Sequence, residues 1–297
     1  MSLSNKEKLI IILGPTASGK SALGIELAKK FNGLIISADS RQVYKGMNLG
    51  TAKVTKKEMK GIPHFLLDVI SPKNQYSAAQ FRKDALKVIN KYQNRNNIFV
   101  VGGSPFYIES LVSLKETFDI PPNYKLRKKL GKLSVKKLFN QIKKFDPQKA
   151  KIIDKNNPRR LIRAIEIAKA GLPKRIDKKT NFEVLKIGLS LPRQKLYEKI
   201  DRRVDLRLKK GMIDEVKKLR RQGLTWKRLD AFGLEYRFIA RHLKGEISKQ
   251  EMIQQLKYAI HDFTRRQLTW FRKDKNIHWI KNKNQAKKLI KIFLTTV

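Results

Sequence analysis

Cysteine is missing from all 297 residues, which removes disulfides, thiol nucleophiles and thiolate metal sites together. No run of about 18 apolar residues occurs, so no membrane-spanning helix is expected. Met1 to Lys8 is polar and lacks the apolar stretch of a secretory leader, and a cytoplasmic protein without a membrane partner is the simplest expectation. Acidic residues are scarce: 25 Asp and Glu stand against 68 Lys and Arg, a formal charge of +43 distributed along the chain. Coding bias can account for the number of lysines, many of which solvate the surface. A chain this basic still meets polyanions, and RNA or DNA is the partner class that follows. The length allows a substantial apolar centre, as one large domain or as a core with a subdomain.

What is present is organised around Gly14-Pro15-Thr16-Ala17-Ser18-Gly19-Lys20-Ser21. The apolar run from Leu9 to Leu13 feeds into it, and Leu23, Leu27 and Phe31 recur at helical spacing behind it, so the order is strand, glycine-bracketed loop, helix. Glycines let successive backbone N–H groups converge on an anion, and the following helix adds its positive end. Lys20 contributes a point charge and Ser21 a hydroxyl suited to Mg²⁺. The expected guest is a di- or triphosphate, although the loop reads charge and shape and not the group attached to them.

Leu34 to Ser37 reads as a buried strand ending at Ala38-Asp39-Ser40-Arg41-Gln42. Ligands of a parallel sheet bind at the carboxyl ends of its strands, so Asp39 is expected to face the phosphate loop. The stretch 46–64 resembles a surface excursion. Ser77 caps a helix with Phe81, Ala85, Val88 and Ile89 inward, and the strand from Ile98 to Val101 runs into Gly102-Gly103-Ser104 on the same edge. The next strand, Val184 to Leu191, follows only after about 80 residues, far more than a crossover requires. Helical patterns fill the interval at Tyr124 to Leu133, Ser134 to Phe145 and Pro158 to Ala170. The expectation is an α/β fold: a P-loop NTPase-like parallel sheet flanked by helices in 1–114 and 184–297, interrupted by a basic, all-helical insertion over 115–183. Beyond it, Leu196 to Leu219 reads as one long helix and Asp230 to Leu243 as another. Ser248 opens a third whose inner face holds Ile253, Leu256, Ile260, Phe263 and Trp270. Trp270 and Phe271 are therefore expected in the core and not on RNA. A short strand at Ile277 to Ile280 and a closing helix at Ala286 to Phe293 complete the chain.

Two chemistries are compatible with these residues. Asp39 or Asp68, each following an apolar run, suits a magnesium ligand in an ATP-dependent kinase. Alternatively the loop holds the diphosphate of an alkyl donor as a leaving group, with Asp39 acting on the acceptor. A non-enzymatic RNA-binding protein with a vestigial loop is a third class, opposed by the intact Lys20, Ser21 and Asp39.

Several segments, in order, resemble the tRNA dimethylallyltransferase (tRNA isopentenyltransferase) family. They are the loop at Gly14 to Ser21, Asp39-Ser40-Arg41-Gln42-Val43-Tyr44, Met47 to Lys53, Pro63 to Asp68, Tyr76-Ser77 with Phe81 to Ala85, and Val101-Gly102-Gly103. Asn157 to Glu166 and Arg266 to Arg272 continue the match over nearly the whole chain. It departs at Ser104-Pro105-Phe106, where the family has threonine and leucine, at Ile260-His261 with Arg265 in a lysine position, and at Glu235-Tyr236-Arg237.

The resemblance implies transfer of a dimethylallyl group from its diphosphate to the exocyclic amine of the adenosine 3′ of the tRNA anticodon, with Mg²⁺ as cofactor; a monomer is expected. It implies catalytic roles for Asp39, Thr16 and the lid residue Arg203. Diphosphate would be held by Gly14, Pro15, Thr16, Ala17, Ser18, Gly19, Lys20 and Ser21, with Ser21 on the metal. The anticodon stem-loop would meet Asp39, Ser40, Arg41, Gln42, Ser104, Arg127, Arg159, Arg160, Arg163, Arg265, Arg266, Gln267 and Arg272. Within prenyl transfer, a free adenine nucleotide is the alternative acceptor; the breadth of positive charge favours tRNA.

Overall fold

A computed structural model describes residues 7–113, 120–171 and 182–296. The apolar run at the start becomes β1 (Glu7–Leu13), whose last five residues are buried on both faces as a central parallel strand demands. It is followed by α1 (Lys20–Lys30), β2 (Gly33–Ser37), the short α2 (Lys56–Met59), β3 (His64–Phe65), α3 (Ala78–Tyr92), β4 (Asn97–Gly102) and α4 (Pro105–Val112). Ser77 and Gln80 form a reciprocal capping box at the start of α3.

Residues 113–180 cluster separately. Their described part holds α5 (Tyr124–Leu130), α6 (Val135–Phe145), α7 (Pro147–Ile152) and α8 (Pro158–Lys169). Leu130, Leu138, Ile142, Leu161 and Ile165 form a small core of their own. Glu166 is buried among these helices and accepts hydrogen bonds from Arg127, Arg163 and the Asn123 N–H.

The chain then returns to the sheet with β5 (Phe182–Leu189), α9 (Arg193–Lys209), α10 (Met212–Arg221), α11 (Trp226–Phe232), α12 (Leu234–Leu243), α13 (Lys249–Phe271), β6 (Ile277–Ile280) and α14 (Lys283–Thr295). Among the described residues six strands run β3-β2-β4-β1-β5-β6, all pairs parallel. The sheet is buried between two apolar layers, one centred on Leu9, Ile11, Ile36 and Val100 and the other on Ile10, Ile12, Ile35 and Phe99. This is the expected parallel α/β fold. Among the described residues no helix is long and apolar enough to cross a membrane.

Three expectations change. The helix read over Leu196 to Leu219 is two, α9 and α10, parted at Gly211, whose φ of +92° ends one and turns the chain into the next. Asp230 to Leu243 is likewise divided between α11 and α12 at Gly233. On α13 the buried residues are Met252, Leu256, Ile260, Thr264, Gln267 and Phe271. Trp270 lies off that stripe, 37 % exposed, with its ring 4.8 Å from that of Phe106.

Candidate active site

Three carboxyl ends meet along one sheet edge: β1 delivers the loop 14–19, β2 delivers Asp39, and β4 delivers Gly103 and Ser104. Gly19, at φ +92°, sits immediately before α1 and lets the chain turn into the helix without a Cβ penalty. Gly103 sits in a crowded place: a Cβ there would lie 2.7 Å from Gln267 Nε2, whose amide is held by hydrogen bonds, and 3.2 Å from Gly14 O.

Gln267 ties two of these ends together. Its carbonyl oxygen accepts the Thr16 N–H at 3.0 Å, and its amide donates to Gly103 O at 2.7 Å. The residue is 5 % exposed. The sequence placed Gln267 among the RNA contacts; the structure buries it with both ends of its amide engaged in shaping the phosphate loop.

Asp39 closes a turn in which its Oδ1 accepts the N–H groups of Arg41 at 2.9 Å and Gln42 at 3.3 Å. Ser104 braces that turn, its hydroxyl accepting the Ser40 N–H at 2.9 Å. Ser104 therefore acts on the Asp39 turn itself, although its hydroxyl was read as an RNA contact. Gln42 reaches the other way and donates to the carbonyls of Thr51 at 3.3 Å and Ala52 at 3.2 Å. The Arg41 guanidinium lies over the Phe232 ring at 5.7 Å.

One cleft collects the functional groups. Thr16, Lys20, Ser21, Asp39, Gln42 and Arg203 line it, with Ile35, Val54 and Val101 supplying apolar wall. Lys20 Nζ donates to Pro15 O at 3.1 Å, and Arg203 on α9 donates to the Thr16 hydroxyl. Burial lowers the Lys20 ammonium to about 8 against the pull of Asp39, and Arg203 adds to the lowering. Burial also brings the Arg203 guanidinium down to about 10, helped by Arg207 and opposed by Glu235 and Asp39. Both cations are thus partly withdrawn from water with little carboxylate compensation, an arrangement that gains when a polyanion enters.

Asp68, the other carboxylate considered from sequence, is outside this cleft: it pairs with Lys53 at 2.6 Å. Of the arginines expected on RNA, Arg265 pairs with Asp262 on the surface of α13, Arg266 lies beside the Phe263 ring, and Arg272 is exposed at the end of the same helix. Inside the helical unit, Arg159 is exposed and Arg160 lies 3.8 Å from Asp154, whereas Arg127 and Arg163 hold Glu166.

Sequence reasoning missed Glu215, which accepts the N–H groups of Asn48, Leu49 and Gly50, and the buried Arg207–Glu235 pair. No spacing signal marks Glu215, because its partners are backbone groups. The departure at Glu235 was visible, but its partner Arg207 resembles the other arginines of a charged helix.

Comparison with known proteins places this geometry. Residues 42–274 match the family model described as IPP transferase. The chain is 40 % identical over 293 residues to the tRNA dimethylallyltransferase of Acetivibrio thermocellus, covering 94 % of this chain and 93 % of that protein. The crystal structure of the full-length tRNA isopentenylpyrophosphate transferase from Bacillus halodurans superposes with a TM-score of 0.71 at 36 % identity, over 97 % of this chain and 95 % of that one. A eukaryotic dimethylallyltransferase, captured acting on tRNA, gives a TM-score of 0.74 at 26 % identity, over 89 % of this chain and 69 % of that one. A phosphate loop, a carboxylate at the next strand end and an arginine lining the same cleft are here carried by a chain that belongs to the IPP transferase family.

Proposed function

We propose that this protein transfers a dimethylallyl group from dimethylallyl diphosphate to the exocyclic amine of the adenosine 3′-adjacent to the anticodon of tRNA. The observation that carries the reading is that Asp39, Thr16, Lys20 and Arg203 line a single cleft in a chain whose relatives are tRNA dimethylallyltransferases.

The diphosphate lies on the loop from Gly14 to Ser21, where backbone N–H groups and Lys20 meet its charge. Adenine's amine is a poor nucleophile because its lone pair is delocalised, and it becomes acidic as it is alkylated. The Asp39 carboxylate orients it and accepts its proton. The amine nitrogen bonds to C1 of the donor while the C1–O bond breaks, and the electron pair leaves with diphosphate. Lys20 and Arg203 stabilise the charge that grows on the departing oxygens. Thr16, already bonded to Arg203, places a hydroxyl beside the breaking bond. The adenosine leaves the stack to reach this cleft, as base-modifying enzymes require, and Ser40, Arg41 and Gln42 follow Asp39 closely enough to contact it.

Mg²⁺ fits the donor set in part. Ser21 offers a hydroxyl in the cleft beside Asp39, and among the described residues no three acidic or histidine side chains gather into a metal cage. That pattern suits an ion held mainly by diphosphate and water, with Ser21 as its protein ligand. When bound, the ion neutralises the leaving group.

The anticodon stem-loop is proposed to engage Arg265, Arg266 and Arg272 on α13, and Arg159, Arg160, Arg127 and Arg163 in the helical insertion over 115–183, with the enzyme acting as a cytoplasmic monomer. Labelled dimethylallyl diphosphate, unmodified tRNA and Mg²⁺, run beside an ATP assay, test the reading. Label in tRNA is the expected outcome; turnover of ATP without labelled tRNA assigns a kinase instead.

A further inference from the structure

Residues 46–53 form turns with no strand of their own; Thr51 and Ala52 line the cleft, and the N–H groups of Asn48, Leu49 and Gly50 take their acceptors from another element. Glu215 on α10 supplies them. Its Oε2 accepts the N–H groups of Asn48 at 2.8 Å and Leu49 at 2.6 Å; its Oε1 accepts the Gly50 N–H at 3.0 Å and the Tyr236 hydroxyl at 2.8 Å. A carboxylate has about four lone-pair sites, so these bonds saturate it. Gly50 is the residue that permits the approach, since a Cβ there would lie 2.6 Å from Tyr236 Oη. Burial and then Glu215 push the Tyr236 phenol well above its ordinary range, and it stays a donor.

The carbonyl side of the same residue is held from α9. Arg207 and Glu235 pair at 3.0 Å, only 6 % and 8 % exposed, and the Arg207 Nη1 points at Gly50 O at 3.5 Å. Arg207 lies one helical turn beyond Arg203, whose guanidinium meets Thr16. Gly50 is followed directly by Thr51 and Ala52, the carbonyls that receive the Gln42 amide. Gln42 in turn gives its backbone N–H to Asp39. An unbroken sequence of hydrogen bonds and adjacent residues therefore runs from Glu215 to the Asp39 carboxylate.

We propose that Glu215, with Tyr236 and the Arg207–Glu235 pair, positions the transfer chemistry: it fixes residues 48–52 so that Gln42 and Asp39 keep their alignment. The inference rests on the transferase reading above. Glu215 touches no reacting group, so it is a positioning residue. Its effect belongs on the rate of transfer and not on the affinity for the diphosphate donor, which the loop 14–21 and Arg203 determine.

The test uses the full chain carrying Glu215→Gln, which keeps one acceptor oxygen and sets an amide NH₂ against N–H groups the carboxylate used to hold. Prenyl transfer to tRNA should fall about 10- to 100-fold in kcat, with the donor Kd within about twofold of the parent. Amide hydrogen exchange without any substrate should quicken over 48–52 and stay unchanged over 14–21. Tyr236→Phe removes one donor of the four and should lower kcat about two- to fivefold with the same Kd. Unchanged kcat and exchange in Glu215→Gln overturn the proposal, as does a parallel loss of kcat and donor affinity, which marks a structural role alone. If Glu215→Gln does not fold, an unaltered kcat in Tyr236→Phe overturns it. A parent protein that labels no tRNA defeats the transferase reading, while the exchange measurement still decides whether Glu215 fixes 48–52.

Discussion

At the sheet edge, Lys20 and Arg203 are half-buried and neither is ion-paired among the described residues; one donates to a carbonyl and the other to a hydroxyl. In the helical unit, Arg127 and Arg163 close on one buried carboxylate, Glu166, with Arg127 at 2.7 Å. Burial acts in both places and its outcome is opposite. Around Lys20 and Arg203 it prevails and lowers both cations. Around Glu166 burial alone would raise the carboxyl, but hydrogen bonds from Arg127, Arg163 and the Asn123 N–H outweigh it and hold the group down to about 2. The first arrangement is completed by an incoming anion, the second is already complete. The same residue types thus serve binding where charge is left uncompensated, and folding where it is matched.

The largest expected effect removes the carboxylate that faces the uncompensated cations. Asp39→Ala should lower kcat for transfer by about 10²- to 10⁴-fold, the range of a lost general base, while the donor still binds. Equal turnover in parent and variant removes Asp39 from the mechanism. Next comes the completed cluster: Glu166→Ala should destabilise the helical unit by about 2–4 kcal/mol, because two arginines and an N–H lose their acceptor, although the partly exposed arginines recover some hydration. Hydrogen exchange confined to α5 and α8 reads it. The pH dependence carries a definite sign. The Glu166 pKa in the folded protein lies below its unfolded value, so its stabilisation is complete above about pH 4.5 and disappears as pH falls toward about 2. Melting of these helices followed across that window should show the loss in the parent and not in the variant.

Much of the sheet-edge region was legible because its determinants are contiguous. A phosphate loop needs one strand, one run of glycines and one helix start, all within Leu9 to Phe31. Asp39 was legible because the end of an apolar strand in a parallel sheet can face only one edge. What the sequence hid is distributed. Gln267 and Thr264 interrupt the apolar stripe of α13 because that helix packs beside the phosphate loop, and a reading by apolar period passed over them and drew Trp270 inward. The turn at Gly211 was masked by charge periodicity that continues on either side. Glu215 had no signal of its own, since hydrogen bonds to backbone N–H groups need no particular donor side chain, and Gly50, which admits Tyr236, reads in the sequence like any other glycine.

A smaller effect sharpens the contrast by titration. Lys20 in the free protein loses its proton near pH 8, and a bound diphosphate favours the protonated form. Donor affinity should therefore be flat below about pH 8 and fall by up to about tenfold per pH unit above it. Lys20→Arg, which stays charged, should flatten that decline. A decline that persists in Lys20→Arg assigns the titration to another group.

The smallest effect concerns a pair that belongs to neither class. Arg265 and Asp262 meet on the exposed face of α13, both side chains about half accessible, so their contact contributes at most about 1 kcal/mol to folding. Its proposed importance is for RNA. If Arg265 meets a backbone phosphate, Arg265→Ala should weaken tRNA binding about two- to fivefold and reduce the salt dependence of log K by about one unit of slope, with donor affinity untouched. Asp262→Ala should act in the other direction, because freeing the guanidinium removes a competitor for the same donors. Opposite shifts in tRNA affinity from the two variants, measured at two salt concentrations, place Arg265 with the cations that await an anion. Equal and negligible shifts place it with those whose partner is already in the protein.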